Sequence, residues 1–170
     1  MLVKQKIGNI HAVHIQNRRI DILLLEWYET NKRILHKRTR DGKDLVLKFL
    51  TEDPDLKQDD VIYQDDSCLV MIEIAPCEAI VVRPENMYQM AALCYEIGNK
   101  HLPLFIDDEE VLVPYESPLF NLLLASGFQP VKDARKLLHP VSSSVSPHGH
   151  DTSTSLFTRI LQLTNTPRHV

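Results

Sequence analysis

Glycine is scarce in this chain, at five in 170 residues, and none of the five builds a phosphate-cradling loop. Neither GxSxG nor HExxH occurs. These absences remove the usual signatures of nucleotide hydrolysis, serine-nucleophile chemistry and zinc proteolysis, and the expectation is a protein that is not an enzyme. Cysteine is also rare. Cys68, Cys77 and Cys94 are odd in number and far apart, with no CxxC spacing. That excludes a disulfide framework and a thiolate-rich structural zinc, and points to a reducing, cytoplasmic setting. Each cysteine stands among apolar neighbours, as a small core residue does. No run approaches the ~20 apolar residues of a membrane helix, and the opening MLVKQKIGNI is too polar for a signal peptide. An excess of positive charge is missing as well: the formal net charge is -4. With no aromatic-basic strand motif either, nothing recommends nucleic acid as a partner.

What is present is an ordinary globular composition, 44% hydrophobic and 25% charged. The length suits one large domain or two small ones. Residues 1–75 carry β grammar. Arg33 to Thr39 and Lys43 to Phe49 flank Asp41-Gly42, a hairpin signal, and Leu45, Leu47 and Phe49 alternate with Val46 and Lys48. The Pro- and Asp-bearing stretch TEDPDLKQDD breaks structure. Val61 to Tyr63 and Leu69 to Ile74, around a turn at Asp65-Asp66-Ser67, supply further short strands. A small all-β sandwich or barrel is expected.

Pro76 marks a boundary, and residues 76–138 follow another pattern. Ala79 to Val82 is a β-branched run. Pro84 stands at a first helical position, and Met87, Met90, Ala91, Cys94 and Ile97 form an apolar helix face ended by Gly98-Asn99 in a left-handed turn. Leu102 to Ile106 and Val111 to Tyr115 are strands joined by the acidic tip 107–110. Ser117 is placed as an N-cap with Pro118 at the first helical position, Leu119 to Ser126 is a helix, and Gly127 its stop. A last strand falls within 128–138. The order βαββαβ is ferredoxin-like, so the chain is α+β. Residues 139–170 form a third part. VSSSVSPHGHDTSTS should be mobile, and Leu156, Phe157, Ile160, Leu161 and Leu163 line one side of a short, marginal helix.

Eight histidines are present. His11, His14 and His36 sit on strands or loops as ordinary surface residues, and His139 is a junction residue before proline. His101 directly follows a helix stop, where a histidine interacts favourably with the negative helix end. In His148-Gly149-His150, positions i and i+2 of an extended segment face the same way, so both imidazoles can meet one ion. His169 stands close to the end. Imidazole suits nickel, zinc and copper. A fixed histidine doubled by a twofold axis, with loose histidines added, makes an incomplete and exchangeable shell of the kind a metal carrier needs.

The run Cys94 to Leu104, CYEIGNKHLPL, with NMYQMAALCYEIGN before it and EEVLVPYESPLFNLLLASGF after it, resembles the urease accessory protein E family, the nickel metallochaperones of urease maturation. The family's Gly-Asn-Arg-His signature stands here as Gly98-Asn99-Lys100-His101. The stretches LEWYETNKRILHKRTRDGKDLVLKF and LKQDDVIYQDDSCLVMIEIAPCEAIVV look like the family's N-terminal β domain and its join to the metal-binding domain. The resemblance covers about residues 1–138. It implies an all-β, peptide-binding-like domain at 1–75, a ferredoxin-like metal-binding and dimerisation domain at 76–138, and a flexible tail at 139–170. It implies a homodimer in which His101 of each chain holds Ni(II) across the axis, with tail histidines, here His148 and His150, completing the shell. Nickel is cargo, and the same donors admit Zn(II) and Cu(II). The implied partners are the urease accessory GTPase and the apo-urease complex. The departures are Lys100 for arginine, Asp59-Asp60 for the commoner Gly-Asp, and no further histidines near Tyr115 and Ser117. The competing reading is a metal-independent scaffold within the maturation complex.

Overall fold

The structure is a computed structural model and describes residues 1–13, 15, 17–51 and 53–141. The expectations at His14, His148, His150 and His169, and the helix expected beyond residue 155, lie outside those residues.

Seven strands build two sheets. They are β1 (Leu2–Val3), β2 (Gly8–Asn9), β3 (Arg19–Leu25), β4 (Ile34–Arg38), β5 (Asp44–Lys48), β6 (Asp60–Gln64) and β7 (Cys68–Ile74). One sheet runs β1-β5-β4, the other β2-β6-β7-β3. The β4–β5 hairpin forms at Asp41-Gly42, with Leu35 opposite Leu47 and Lys37 opposite Leu45. Gly42 takes φ 86, a conformation that costs a glycine nothing, and its N–H closes the turn on the Thr39 carbonyl at 2.9 Å. Leu45 and Leu47 point inward while Asp44 and Lys48 stay exposed, the alternation that the sequence carries. The sequence pattern left β3 unassigned. It runs parallel to β7 over seven residues and adds Leu23 and Leu25 to a core shared with Leu35, Phe49, Ile62, Val70, Ile72 and Ile74. Each such side chain contributes roughly 1.5–3 kcal/mol on leaving water.

The second unit is β8 (Cys77–Val82), α1 (Met87–Asn99), β9 (Phe105–Asp107), β10 (Glu110–Pro114), α2 (Ser117–Ala125) and β11 (Val131–Arg135). Its sheet order is β11-β8-β10-β9, and both helices pack on one face. Ile80 and Val82 meet Leu93, Ile97, Leu119 and Leu123 there. Ala79, Val81, Phe105 and Leu112 use the opposite face, where Trp27 packs against them. This explains the unbroken run Ala79 to Val82: a strand covered on both faces has no need to alternate. The Trp27 and Phe105 rings meet edge-on at 5.6 Å. Glu73 of β7 accepts from Lys136, just after β11, at 3.1 Å and from Arg40 at 2.9 Å.

Three local expectations are corrected. Helix α1 starts three residues later than Pro84 suggested, capped by Asn86, whose side chain accepts from the Gln89 N–H at 2.9 Å. Helix α2 is capped at Glu116, with Ser117 and Pro118 already inside its first turn. Met87 is 85% exposed, and the packed face of α1 is instead Met90, Leu93 and Ile97.

Candidate metal centre

The two helices end in different ways. At α2, Gly127 takes φ 86, its N–H donates to the Leu124 carbonyl, and the Phe128 N–H donates to the Leu123 carbonyl. This is the Schellman arrangement with glycine in the left-handed place. At α1, Gly98 and Asn99 remain helical, and Lys100 caps at φ -92. The left-handed residue is His101 itself, at φ 56, its N–H donating to the Gly98 carbonyl at 3.0 Å. Leu102, next along, packs in the same cluster as Ile97. That is the apolar contact expected across such a cap. The sequence suggested that Gly98-Asn99 makes the turn and that His101 merely follows it. In the structure the histidine is the turn.

A residue with a Cβ pays about 1 kcal/mol to occupy that conformation. Histidine is among the few non-glycine residues found there repeatedly. The consequence is a fixed direction: the backbone at His101 is closed by the helix cap before it and by Pro103 after it. The side chain is exposed, and among the described residues no hydrogen bond ties down its ring. A groove beside it, of about 280 Å³, is lined by Lys100, Leu102, Glu116, Pro118, Leu119 and Leu122. The negative end of α1 lies at this corner and favours a cation.

Among the described residues no group of three or more His, Cys, Asp or Glu stands ready to hold a metal. Among the described residues His101 therefore belongs to no such group. His11 and His36 are exposed and distant in sequence, and His139 is exposed with its carbonyl accepting from the Ile106 N–H. Cys77 and Cys94 are half-buried, and burial pushes both thiols up, away from ligation. Of the acidic tip, Asp107, Asp108 and Glu109 are solvated, whereas Glu110 belongs to β10 and accepts from Arg83 and Arg135, each at 3.1 Å.

Two features had no sequence signal strong enough to find them. First, residues 139–141 lie along the free edge of β9. The His139 carbonyl accepts from the Ile106 N–H at 3.1 Å, the Val141 N–H donates to the Leu104 carbonyl at 2.8 Å, and Pro140 bridges Phe105. Val141, the last described residue, is thus bonded three residues along from His101. Second, α1 exposes Met87, Tyr88 and Tyr95 at 85%, 83% and 69%. Tyr88 and Tyr95, seven residues apart, fall on one line of the helix, with Met87 next to Tyr88 at its start.

Comparison with known proteins decides the family. The model described as "UreE urease accessory protein, N-terminal domain" matches residues 3–75, and "UreE urease accessory protein, C-terminal domain" matches 78–156. The chain belongs to the UreE family of urease accessory proteins. Among its relatives, "Urease accessory protein UreE" of Flavobacterium johnsoniae is 45% identical over 163 residues, covering 96% of this chain and 99% of that protein. The UreE of Actinobacillus pleuropneumoniae is 44% identical over 136 residues, 80% of this chain and 72% of its own length. That of Helicobacter pylori is 32% identical over 133 residues, 76% of this chain and 78% of that one. The UreE match ends at residue 156, so the last fourteen positions fall beyond both models. Among the described residues no helix is long and apolar enough to cross a membrane.

Proposed function

We propose that this UreE-family chain is a nickel metallochaperone: it carries Ni(II) as cargo to the urease complex during maturation and performs no reaction on a substrate. The observation that supports this most directly is His101 held in the left-handed cap position. A β-carbon-bearing residue held at φ 56, where glycine is the usual occupant, supports a functional reading. Imidazole is a suitable donor for a borderline ion such as Ni(II), and it admits Zn(II) and Cu(II) as well.

One imidazole does not hold an ion tightly, so the site needs more donors. A second copy of the chain supplies the first. The exposed Met87, Tyr88 and Tyr95 on the helix that ends at His101 favour coverage by another surface. A homodimer through this unit would place two copies of His101 at one axis. The tail supplies the rest. His148 and His150 follow Val141 by seven and nine residues. A chain of that length reaches about 25–30 Å, whereas His101 stands only three residues from Leu104, where Val141 is bonded. Domains at 1–75 and 76–138 and a tail at 139–170 fit this division of labour: the β domain for partners, among them the accessory GTPase and apo-urease, the second for metal and pairing, the tail for closure. A cytoplasmic location follows from those partners.

The test is a calorimetric Ni(II) titration at neutral pH with the mass measured in parallel. One tight ion per two chains, lost in His101→Ala, is the expected result. One ion per chain that survives His101→Ala and disappears in a His148→Ala/His150→Ala double variant would move the site to the tail. No tight binding at all would leave a metal-independent scaffold as the function.

A further inference from the structure

Far from His101, at one end of the N-terminal sandwich, a lysine and a cysteine touch. The Lys43 Nζ lies 3.1 Å from the Cys68 Sγ. Lys43 immediately precedes β5 and Cys68 opens β7, so the pair bridges the two sheets. Both backbones are fixed. The Lys43 N–H donates to the Thr39 hydroxyl at 3.1 Å, and the Cys68 N–H donates to the Asp65 carboxylate at 2.7 Å. Cys68 is 3% exposed.

A second observation bears on the same place. Asp21 is 1% exposed, and its Oδ1 accepts from the N–H groups of Ile22 and Asp41 at 2.8 and 3.1 Å. Burial alone would raise its carboxyl, but the Thr39 hydroxyl and the N–H groups of Asp41 and Ile22 hold it below the usual carboxylate range. It sits two residues along β3 from Arg19, the register partner of Cys68, and the Lys43 charge acts on it. Arg19 is engaged with Asp41 at 3.1 Å. A buried carboxylate favours a cation near it. It therefore helps hold the lysine head over the sulfur rather than in water. The thiolate is the form of a cysteine that attacks peroxide, and the Lys43 ammonium stands in contact with the sulfur, placed to pair with it.

We propose that Lys43 and Cys68 are a peroxide-sensitive pair that closes into a covalent sulfenamide, tying the two sheets of the N-terminal domain together. The Cys68 sulfur attacks one oxygen of hydrogen peroxide. The S–O bond forms, the O–O bond breaks, and the departing hydroxide takes a proton from the Lys43 ammonium to leave as water. This leaves a sulfenic acid beside a neutral amine. The amine then attacks sulfur; the N–S bond forms, the S–O bond breaks, and a second water leaves with the proton lost from nitrogen. Sulfur is oxidised by two electrons and peroxide is reduced by two. Condensation of a sulfenic acid with nitrogen is known chemistry, and it is reversed by thiols. Peroxide is close to water in size and enters along the half-buried lysine, while the near-complete burial of Cys68 keeps out bulky thiol reagents. The flexible lysine stem supplies the small movement needed to close the gap.

The experiment treats a Cys77→Ser/Cys94→Ser variant with hydrogen peroxide and maps its peptides by mass. A linked Lys43–Cys68 peptide, about 2 Da lighter than the sum of its reduced parts and released by a thiol reductant, is expected. The tie should raise the melting temperature by about 5–10 °C, as closing a loop of this size does. In Lys43→Arg, unfolding the peroxide-treated protein in the presence of dimedone should trap a sulfenic acid at Cys68 with no link. If the double serine variant folds poorly, the same mapping on the unsubstituted protein still separates this link from any disulfide. Oxidation of Cys68 beyond the sulfenic acid with Lys43 unmodified would overturn the proposal. So would a Cys68 that stays reduced at peroxide doses that oxidise Cys94.

Discussion

Replacing His101 by glycine and by alanine should have the same effect on metal and opposite effects on the fold. At φ 56 the histidine occupies the left-handed cap of α1. A Cβ there costs about 1–2 kcal/mol, with histidine at the tolerant end. Glycine removes that cost and gives back roughly 0.5–1 kcal/mol through its greater freedom when unfolded. The net gain for His101→Gly is about 0.5 kcal/mol. Alanine keeps the Cβ and loses histidine's tolerance, so His101→Ala should lose about 0.5 kcal/mol. The separation of about 1 kcal/mol corresponds to roughly 2–4 °C in melting temperature for a chain of this length. The assay is thermal unfolding of both variants in chelator, paired with Ni(II) titration. Glycine should melt above the parent and alanine below it, with tight nickel binding gone in both. Equal melting of the two variants would refute the left-handed cap. Retained tight binding in either would refute the ligand role.

Other outcomes are expected. Gly98 is helical with nothing within 4 Å of an added Cβ, so Gly98→Ala should raise the stability of the single chain by about 0.5–1 kcal/mol. Thermal unfolding of the variant in chelator measures it. Leu123→Ala should cost about 2–5 kcal/mol, since the side chain is fully buried between α2 and the sheet; denaturant unfolding measures it. The Asp65 carboxyl is held down at about 2, first by the N–H of Ser67, then by its hydroxyl and the N–H of Cys68. A depressed carboxylate stabilises the fold above its ordinary value of about 3.9. That contribution disappears as pH falls toward 2. Acid titration of Asp65→Asn should therefore show a smaller loss of stability over pH 4 to 2 than the parent. Trp27 is the sole tryptophan and lies against Phe105. Its emission should shift to the red if Lys136→Met and Glu73→Gln together loosen the contact between the two units.

Much of the fold was legible because its signals are local. Asp41-Gly42 between alternating strands specifies a hairpin, and Gly127 after LLLAS specifies a helix stop; both stand as expected. The βαββαβ order was legible for the same reason. The parallel pairing of β3 with β7 was not, because IDILLL fits a buried strand or a helix segment equally well and its partner lies more than forty residues away. The cap at His101 was missed because glycine and asparagine are the usual left-handed residues, and Gly98-Asn99 offered both. Local preference was overridden by packing: Ile97 and Leu102 both enter the core, and that fixes the turn three residues later than the glycine. Met87 was assigned to the packed face because helical spacing alone does not distinguish a face buried in the chain's own core from one left open to another molecule. The family resemblance rested on the run from Gly98 to His101 and on both domains, and comparison with known UreE proteins bears it out.

The bond from the Val141 N–H to the Leu104 carbonyl changes the arithmetic of any donor carried farther along the chain. Were such a donor to reach the His101 corner, it would do so as part of the same molecule, with a local concentration on the order of millimolar however dilute the protein is. The contribution of a second copy, by contrast, falls with every dilution. An ion shared between the two would feel one partner that weakens as the cell runs short of protein and one that never does. Each donor of the second kind can let go and return many times before the ion escapes, which is the kinetic condition for passing cargo ligand by ligand instead of releasing it into water.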